Sequence, residues 1–206
     1  MSEGILAVRL AREVIERYLS GESEKVISTR VKEKNLPERF FEKRGVFCTL
    51  HTYPENDLRG CIGYPEPALP FIEALVDASI SAATRDPRFL PVKLNEMDKI
   101  VVEVSILTPP ELISVRNPKD YLKVIKIGRD GLIVEQGMFK GLLLPQVPIE
   151  FGWDVEEFLC RTCEKAGLLY DAWLDKKTKV YKFSAQIFKE VEPRGEIKEV
   201  KLKNDE

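Results

Sequence analysis

The segment LRGCIG, residues 58–63, places a guanidinium, a thiol and two glycines close together. If the segment is a β-strand, Arg59 and Cys61 lie on one face, because side chains alternate along a strand. A cation beside a thiol favours the thiolate, which is the nucleophilic form of cysteine. Gly60 and Gly63 would let a ligand or another backbone approach closely, or allow a bulge. The alternative is that Cys61 is a small buried core residue and that the glycines serve strand packing.

A nucleophilic cysteine usually needs a base, and His51 is the single histidine of the chain. Its position relative to Cys61 depends on the register of a predicted hairpin over residues 45–64. If Tyr53 opposes Leu58, His51 points to the face away from Cys61. If Thr52 opposes Leu58, His51 opposes Arg59 and lies diagonal to Cys61. The sequence leaves both registers open, and a lone histidine can equally be a surface or structural residue.

The remaining thiols are those of Cys48, Cys160 and Cys163. Cys160 and Cys163 form a CxxC spacing in the middle of a predicted helix, with Cys163 at the edge of its apolar stripe and Cys160 further outward. In a redox site the first cysteine sits at the helix N-terminus, where the helix dipole lowers its pKa. We therefore predict a structural pair. One CxxC and one histidine also provide too few ligands for a zinc site, so no metal is expected.

Four further polar residues are candidates for binding. Asp86 and Arg88 follow a predicted buried helix within RDPRF, where they either line a site or form the ion pair of a helix-terminating turn. Glu103 shares one face of the strand IVVEVSIL with Ser105, and this face is either exposed to solvent or the wall of a cleft. Gln146 follows the apolar run LLLP and either caps a loop or binds a ligand.

The composition is that of a globular protein with a substantial core: 206 residues, 44% apolar and 32% charged. A net charge of −2 gives no overall basic footprint, so nucleic acid is an improbable partner. No apolar run reaches the roughly 18 residues of a membrane span, and the charged N-terminal segment is not a secretory signal. We expect a cytoplasmic protein with free thiols. Abundant Lys and Glu with three Gln resemble the composition of thermophile proteins.

Hydrophobic periodicity and turn residues predict the main elements. Helices are expected over residues 4–19, 71–85, 117–125 and 154–166, the last with Asp154 as its N-cap and Gly167 as its stop. Hairpins are expected over residues 45–64 and 131–145, and single strands over residues 100–107 and 179–188. Residues 22–44 are charged and mixed, with no element assigned.

The order strand, strand, helix, strand occurs twice, with Arg59-Gly60 corresponding to Lys140-Gly141. The sequence therefore predicts an α+β fold of two subdomains built on a duplicated strand-strand-helix-strand unit, with mostly antiparallel sheets. We expect a single domain over residues 1–206, with halves of about 1–110 and 111–190 and a charged tail at 191–206. The tail is either exposed or a late edge strand. Interfaces between such units commonly form ligand clefts.

Four segments in this order resemble the AMMECR family, named for product one of the AMME-syndrome chromosomal region: LRGCIG, SAATRDPRF, GLLLPQV and GWDVEEFLCRTCEKAGL. The resemblance extends from about residue 5 to residue 190. The family's hallmark residues correspond to Leu58, Arg59, Gly60, Cys61, Ile62, Gly63, Asp86, Pro87, Arg88, Pro145, Gln146, Trp153, Lys165, Ala166 and Gly167.

The resemblance implies a repeated β-α-β unit in two subdomains, with no metal, no known cofactor and no assigned reaction. Family members in archaea and bacteria are associated with Memo-type and radical-SAM proteins. This association implies a shared modification or synthesis pathway, with a small molecule or a protein as partner.

Two functional hypotheses follow. In the first, the protein is an enzyme in which Cys61 is a thiolate nucleophile and Arg59 lowers its pKa and orients an anionic substrate. Gly60 and Gly63 would expose backbone donors. The cleft between the subdomains would be lined by further binding residues: Asp86, Arg88, Glu103 and Gln146. In the second, the same cleft belongs to a binding or regulatory module that holds a peptide or a small anion, and Cys61 merely packs.

Overall fold

The computed structural model describes residues 2–201. The helices within this range are α1 (Glu3–Leu19), α2 (Glu24–Lys32), α3 (Phe71–Thr84), α4 (Tyr121–Val124), α5 (Val147–Phe151) and α6 (Val155–Lys165). The strands are β1 (Val46–Thr52), β2 (Leu58–Tyr64), β3 (Ile100–Leu107), β4 (Glu111–Leu112), β5 (Gly131–Gln136), β6 (Phe139–Leu143), β7 (Lys179–Phe183), β8 (Ala185–Glu190) and β9 (Ile197–Val200). Short 3-10 segments lie at Glu38–Phe41, Leu94–Lys99, Pro118–Asp120 and Ala172–Leu174.

The chain divides into two compact units. The first unit comprises the chain up to Leu107 together with Gln186–Val200, and the second comprises Thr108–Ala185. A five-stranded sheet in the order β2-β1-β3-β8-β9 belongs to the first unit, and a four-stranded sheet in the order β4-β7-β5-β6 belongs to the second. No helix in residues 2–201 has the length and apolarity that crossing a bilayer requires.

The core of the first unit lies between its sheet and helices α1 and α3. Helix α3 is apolar on nearly all sides, and it packs across β1 and β2 while α1 packs against α3 and β3. The alternating strand residues Cys48, Leu50, Val102 and Val104 point into this core and are fully buried. The side chains that alternate with these residues lie on the opposite face of the sheet.

The predicted duplication is confirmed. In the first unit β1 pairs antiparallel with both β2 and β3, and α3 lies between β2 and β3 in the chain. In the second unit β5 pairs antiparallel with both β6 and β7, and α6 lies between β6 and β7. Gly60 and Gly141 are equivalent because each faces the helix of its own unit. A Cβ at Gly60 would lie 2.1 Å from the Ala82 carbonyl oxygen, and one at Gly141 would lie 2.3 Å from the Ala166 nitrogen.

Two expectations about the elements change, and the alternative of a late edge strand in the tail is confirmed. Residues 179–188 form two strands, because the chain leaves the second sheet at Ser184 and enters the first as β8. Residues 24–32 form α2, which Ser23 caps and which buries Ile27 and Val31. Within the charged tail, β9 pairs antiparallel with β8 as an edge strand, so this segment belongs to the first unit. Residues 202–206 of the tail lie outside the described residues.

A buried ion pair fastens the late strand β8 to the first helix. Arg12 Nε donates to Glu190 Oε1 at 2.6 Å, and Arg12 Nη2 also donates to the Ile100 carbonyl at 2.5 Å. Glu190 Oε2 accepts in addition from the Val102 backbone N–H at 2.9 Å. The side chains of Arg12 and Glu190 are 8% and 3% exposed. Because water reaches neither charge well, each charge is stabilised mainly by the other.

Candidate functional site

The register of the LRGCIG hairpin follows the second predicted alternative from Val46 to Leu50 and departs from it at His51. Thr49 opposes Cys61 and Leu50 opposes Gly60, but His51 opposes Leu58. One residue, Arg59, is therefore extra in β2 and forms a bulge. A bulge redirects side chains locally, so Arg59 and Cys61 do not follow the alternation that the sequence suggests.

A polar row crosses the three strands on the face away from the helices. Cys61 in β2 opposes Thr49 in β1, which opposes Glu103 in β3, and Ser105 lies two residues beyond Glu103 on the same face. We call these four residues the polar row. Glu103 and Ser105 are 8% and 0% exposed, which excludes the prediction that they form a solvent face.

Cys61 is partly exposed and Thr49 supports its sulfur. The Thr49 hydroxyl donates to Cys61 Sγ at 3.2 Å. Burial raises the pKa of the Cys61 thiol above its ordinary value, against the smaller lowering effects of the Thr49 hydrogen bond and the charge of Arg88. The expectation that Arg59 depresses this pKa is replaced, because Arg88 is the cation that acts on the thiol. At neutral pH Cys61 is accordingly a thiol rather than a thiolate.

Arg59 is held by the segment that follows α3. Its Nη1 donates to the Leu90 carbonyl at 2.9 Å, and its Nη2 donates to Glu96 Oε2 at 3.1 Å. Glu96 is itself fixed, because its Oε1 accepts from the Lys93 backbone N–H at 2.8 Å. The bulge therefore turns Arg59 toward the Leu94–Lys99 segment.

Asp86 and Arg88 close the outer edge of β2. The Cys61 backbone N–H donates to Asp86 Oδ2 at 2.9 Å, and Arg88 Nη2 donates to the Cys61 carbonyl at 3.3 Å. The two side chains also form a fork, with Arg88 Nε 2.9 Å from Asp86 Oδ1 and Nη2 2.7 Å from Oδ2. Since β2 is an edge strand, these side chains take the place of a neighbouring strand. We call this arrangement the edge clamp.

The two glycines of LRGCIG have packing roles. Gly60 allows β2 to approach α3, as described above. Gly63 makes room for an aromatic side chain, because a Cβ there would lie 2.4 Å from the Phe47 ring and 2.3 Å from the Val46 carbonyl oxygen. These close contacts give both glycines a packing role, and the expectation that they expose backbone donors to a ligand stays a prediction.

His51 lies on the same face as Thr49, two residues further along β1. Its Nε2 is 3.7 Å from Glu103 Oε2, which is too long for a hydrogen bond. Burial is the main cause that lowers the pKa of His51 to about 4, so the imidazole is neutral at pH 7. Neither ring nitrogen reaches a hydrogen-bond partner of good geometry among residues 2–201. A neutral His51 offers one donor and one acceptor beside Glu103.

The second unit contains the other candidates. Gln146 is the N-cap residue of α5, where its carbonyl accepts from the Ile149 N–H at 3.1 Å. Cys160, predicted to point outward, is buried because Trp173 covers it and donates Nε1–H to its sulfur at 3.3 Å. Burial also raises the pKa of Cys163 to about 11. In the described part of the chain, no group of three or more His, Cys, Asp or Glu is placed to hold a metal ion.

Sequence reasoning missed Thr49 and Glu96. Thr49 could have been found by alternation, since it lies two residues before His51 on a predicted strand. No local signal connects Glu96 with Arg59, because their contact depends on a bulge in one segment and on a 3-10 turn in another.

The fold defines the class of protein: an α+β protein in which an antiparallel β-β-α-β unit occurs twice. The AMMECR1 family model matches residues 8–188, and the chain belongs to the AMMECR1 family.

Archaeal relatives match over nearly their whole length. A protein from Methanocaldococcus jannaschii is 64% identical over 202 residues, which cover 98% of this chain and 97% of the relative. The crystal structure of an uncharacterized protein from Pyrococcus horikoshii is similar, with a TM-score of 0.87 and 55% sequence identity, covering 97% of each chain.

Proposed function

We propose that this protein is a binding module that holds a small, hydrogen-bonding ligand on the polar row of its first unit. Cys61 contributes as a neutral thiol at the edge of the row, and Glu103 contributes a negative charge. The resemblance to the family adds a proposed context, a modification or synthesis pathway shared with Memo-type and radical-SAM proteins.

The observation that carries the proposal is the composition of the duplicate unit. The registers make Thr49 equivalent to Ile133, Cys61 to Leu142, Glu103 to Tyr181 and Ser105 to Phe183. The same scaffold thus folds with four apolar or aromatic side chains where the first unit has the polar row. Because the fold does not require polarity at these positions, a functional reason is the simplest explanation for it.

Unsatisfied hydrogen-bonding capacity supports the same conclusion. The Ser105 hydroxyl is fully buried and has no hydrogen-bond partner among the described residues. Burying a hydroxyl without a partner costs about 1–3 kcal/mol. A protein can tolerate this cost in its unbound state if a ligand provides the hydrogen bond when it binds. With the neutral His51 beside Glu103, the first unit offers both donors and acceptors to a ligand.

Ser105→Ala is expected to raise the free energy of unfolding by about 1 kcal/mol, because it removes an unpaired buried hydroxyl. Ser79→Ala is the matched control, since Ser79 is equally buried but donates to the Leu75 carbonyl at 2.6 Å. Ser79→Ala is expected to bring no increase in the free energy of unfolding. Urea unfolding of both variants measures the difference, and a loss of stability in Ser105→Ala would show that the hydroxyl is satisfied in the native protein.

A thermal-shift screen with a metabolite library tests binding itself. Compounds that raise the melting temperature of the wild-type protein should lose this effect in Ser105→Ala and in Glu103→Gln, and keep it in Ser79→Ala. Equal stabilisation of all variants, or no stabilising compound in the library, would contradict a ligand site on the polar row.

A Cys61-dependent reaction is the second candidate, favoured by one observation: Cys48, Cys160 and Cys163 are buried, whereas Cys61 is partly exposed. Alkylation with iodoacetamide across a pH series, resolved by mass spectrometry, separates the two functions. We expect Cys61 to be labelled before Cys48, because burial raises the pKa of Cys48 to about 12. The labelling rate of Cys61 should keep rising above pH 9, because burial also raises the pKa of this thiol. A midpoint well below pH 8 would instead identify a reactive thiolate and favour the enzyme.

A further inference from the structure

A second candidate site lies at the turn of the β1–β2 hairpin, apart from the polar row. The groove there has a volume of about 560 Å³ and is lined within the first unit alone. Its size is that of pockets that take small organic ligands. Tyr53 and Pro54 from the turn give it an apolar surface. Arg59 and Lys99 give it two cations, and Glu55 and Glu96 give it two carboxylates.

Arg59 enters the groove as a fixed donor. Its two named hydrogen bonds, to the Leu90 carbonyl and to Glu96, hold a guanidinium whose side chain is 17% exposed. A guanidinium has five N–H groups, so further donors are available in a fixed position. A donor that is already ordered loses little conformational freedom when a ligand binds. The groove thus gives Arg59 a binding role that does not depend on the Cys61 thiol.

The remaining charges complement a zwitterion. Glu96 is occupied by Arg59 and by the Lys93 N–H. Within residues 2–201, neither Lys99 nor Glu55 forms a side-chain ion pair, although both line the groove. The backbone beside Lys99 is fixed, because its carbonyl accepts from the Tyr53 N–H at 2.9 Å. Two cations and two carboxylates give no net charge, which disfavours a multiply charged anion such as phosphate.

We propose that this groove binds a zwitterionic α-amino acid with an apolar side chain. The ligand's carboxylate binds Arg59 and Lys99, its ammonium group binds Glu55, and its side chain packs on Tyr53 and Pro54. This site is independent of the polar row, so either proposal can fail without the other.

Calorimetric titration of the full chain with the twenty standard amino acids tests the class of ligand. L-Phenylalanine is compared with two half-probes, 3-phenylpropanoic acid and phenethylamine, and with inorganic phosphate. At least one apolar amino acid is expected to bind, with each half-probe weaker by about tenfold or more, since each lacks one charged hydrogen bond. Binding of none of the amino acids, or equal binding of a half-probe or phosphate, would overturn the proposal.

Variants locate the site. Lys99→Ala and Arg59→Lys are expected to weaken amino-acid binding by about tenfold. Glu55→Gln is expected to remove the preference for L-phenylalanine over 3-phenylpropanoic acid.

Because Glu55 and Lys99 are exposed, these variants should fold even if Arg59→Lys does not. Lys25→Ala, an exposed lysine on α2, is the control that should bind normally. Unchanged binding in Lys99→Ala and Glu55→Gln would place the amino acid elsewhere. Ser105→Ala should bind amino acids as the wild type does, which separates this site from the polar row.

Discussion

Glu190→Ala is expected to lower the free energy of unfolding by about 3–5 kcal/mol, because it leaves a buried guanidinium without its counter-charge. Arg12 is 8% exposed, and two of its nitrogens bond to the Glu190 carboxylate. The variant also leaves the Val102 N–H without the acceptor that Glu190 provides. Guanidinium unfolding followed by circular dichroism measures the loss.

Two further variants serve as controls for the Glu190→Ala result. Glu196→Ala removes an exposed carboxylate that pairs with Lys198, and it is expected to change stability by less than about 1 kcal/mol. The double variant Arg12→Met with Glu190→Leu removes both charges and should recover most of the stability. A loss in Glu190→Ala no larger than that in Glu196→Ala would show that the buried pair contributes little.

Asp86→Asn is expected to lower the free energy of unfolding by about 2 kcal/mol at pH 7. This value corresponds to a pKa of Asp86 that is lowered from 3.8 to about 2 in the folded protein. The hydrogen bond from Arg88 is the main cause of this lowered pKa. Because Asp86 is buried, its charge is poorly solvated apart from the edge clamp. Loss of the clamp should also loosen β2 and accelerate alkylation of Cys61.

The pH dependence of this effect has a definite sign. A carboxylate whose pKa is lowered in the folded state stabilises it above the unfolded pKa, and the contribution disappears as the pH falls through the folded value. Wild-type stability should therefore fall between about pH 4 and pH 2 more steeply than that of Asp86→Asn. Asp120→Asn is the control, since Asp120 forms an exposed ion pair with Lys123 and its replacement should change stability much less than that of Asp86. Equal acid slopes in wild type and Asp86→Asn would contradict the clamp.

The sequence was sufficient for the elements with strong local signals. β3 (Ile100–Leu107) occupies the residues of the predicted strand, and α6 begins after Asp154 and ends before Gly167, as the capping residues indicated. The duplication was visible because Gly60 and Gly141 answer the same requirement, close approach of a strand to a helix. These features depend on residues near each other in the chain.

The arrangement around Cys61 was less predictable, because one extra residue decides it. The bulge at Arg59 separates the guanidinium from the thiol and directs it to Glu96. The strand glycines indicated that a bulge was possible, but they did not fix its position. The split of residues 179–188 at Ser184 was missed for a related reason, since a continuous β-rich pattern does not show that its two ends pair in different sheets. Long-range pairing decided both outcomes.

The discontinuity of the first unit has a consequence for synthesis on the ribosome. When Leu107 is added, β1, β2 and β3 exist, but β8 and β9 and the partner of Arg12 do not. The sheet of the second unit, by contrast, has all of its strands before Gln186 is translated. The first unit is therefore the first to be translated and the last to have all its strands. Until β8 and β9 emerge, the edge of β3 lacks its neighbouring strand, and an open edge of this kind is prone to premature association.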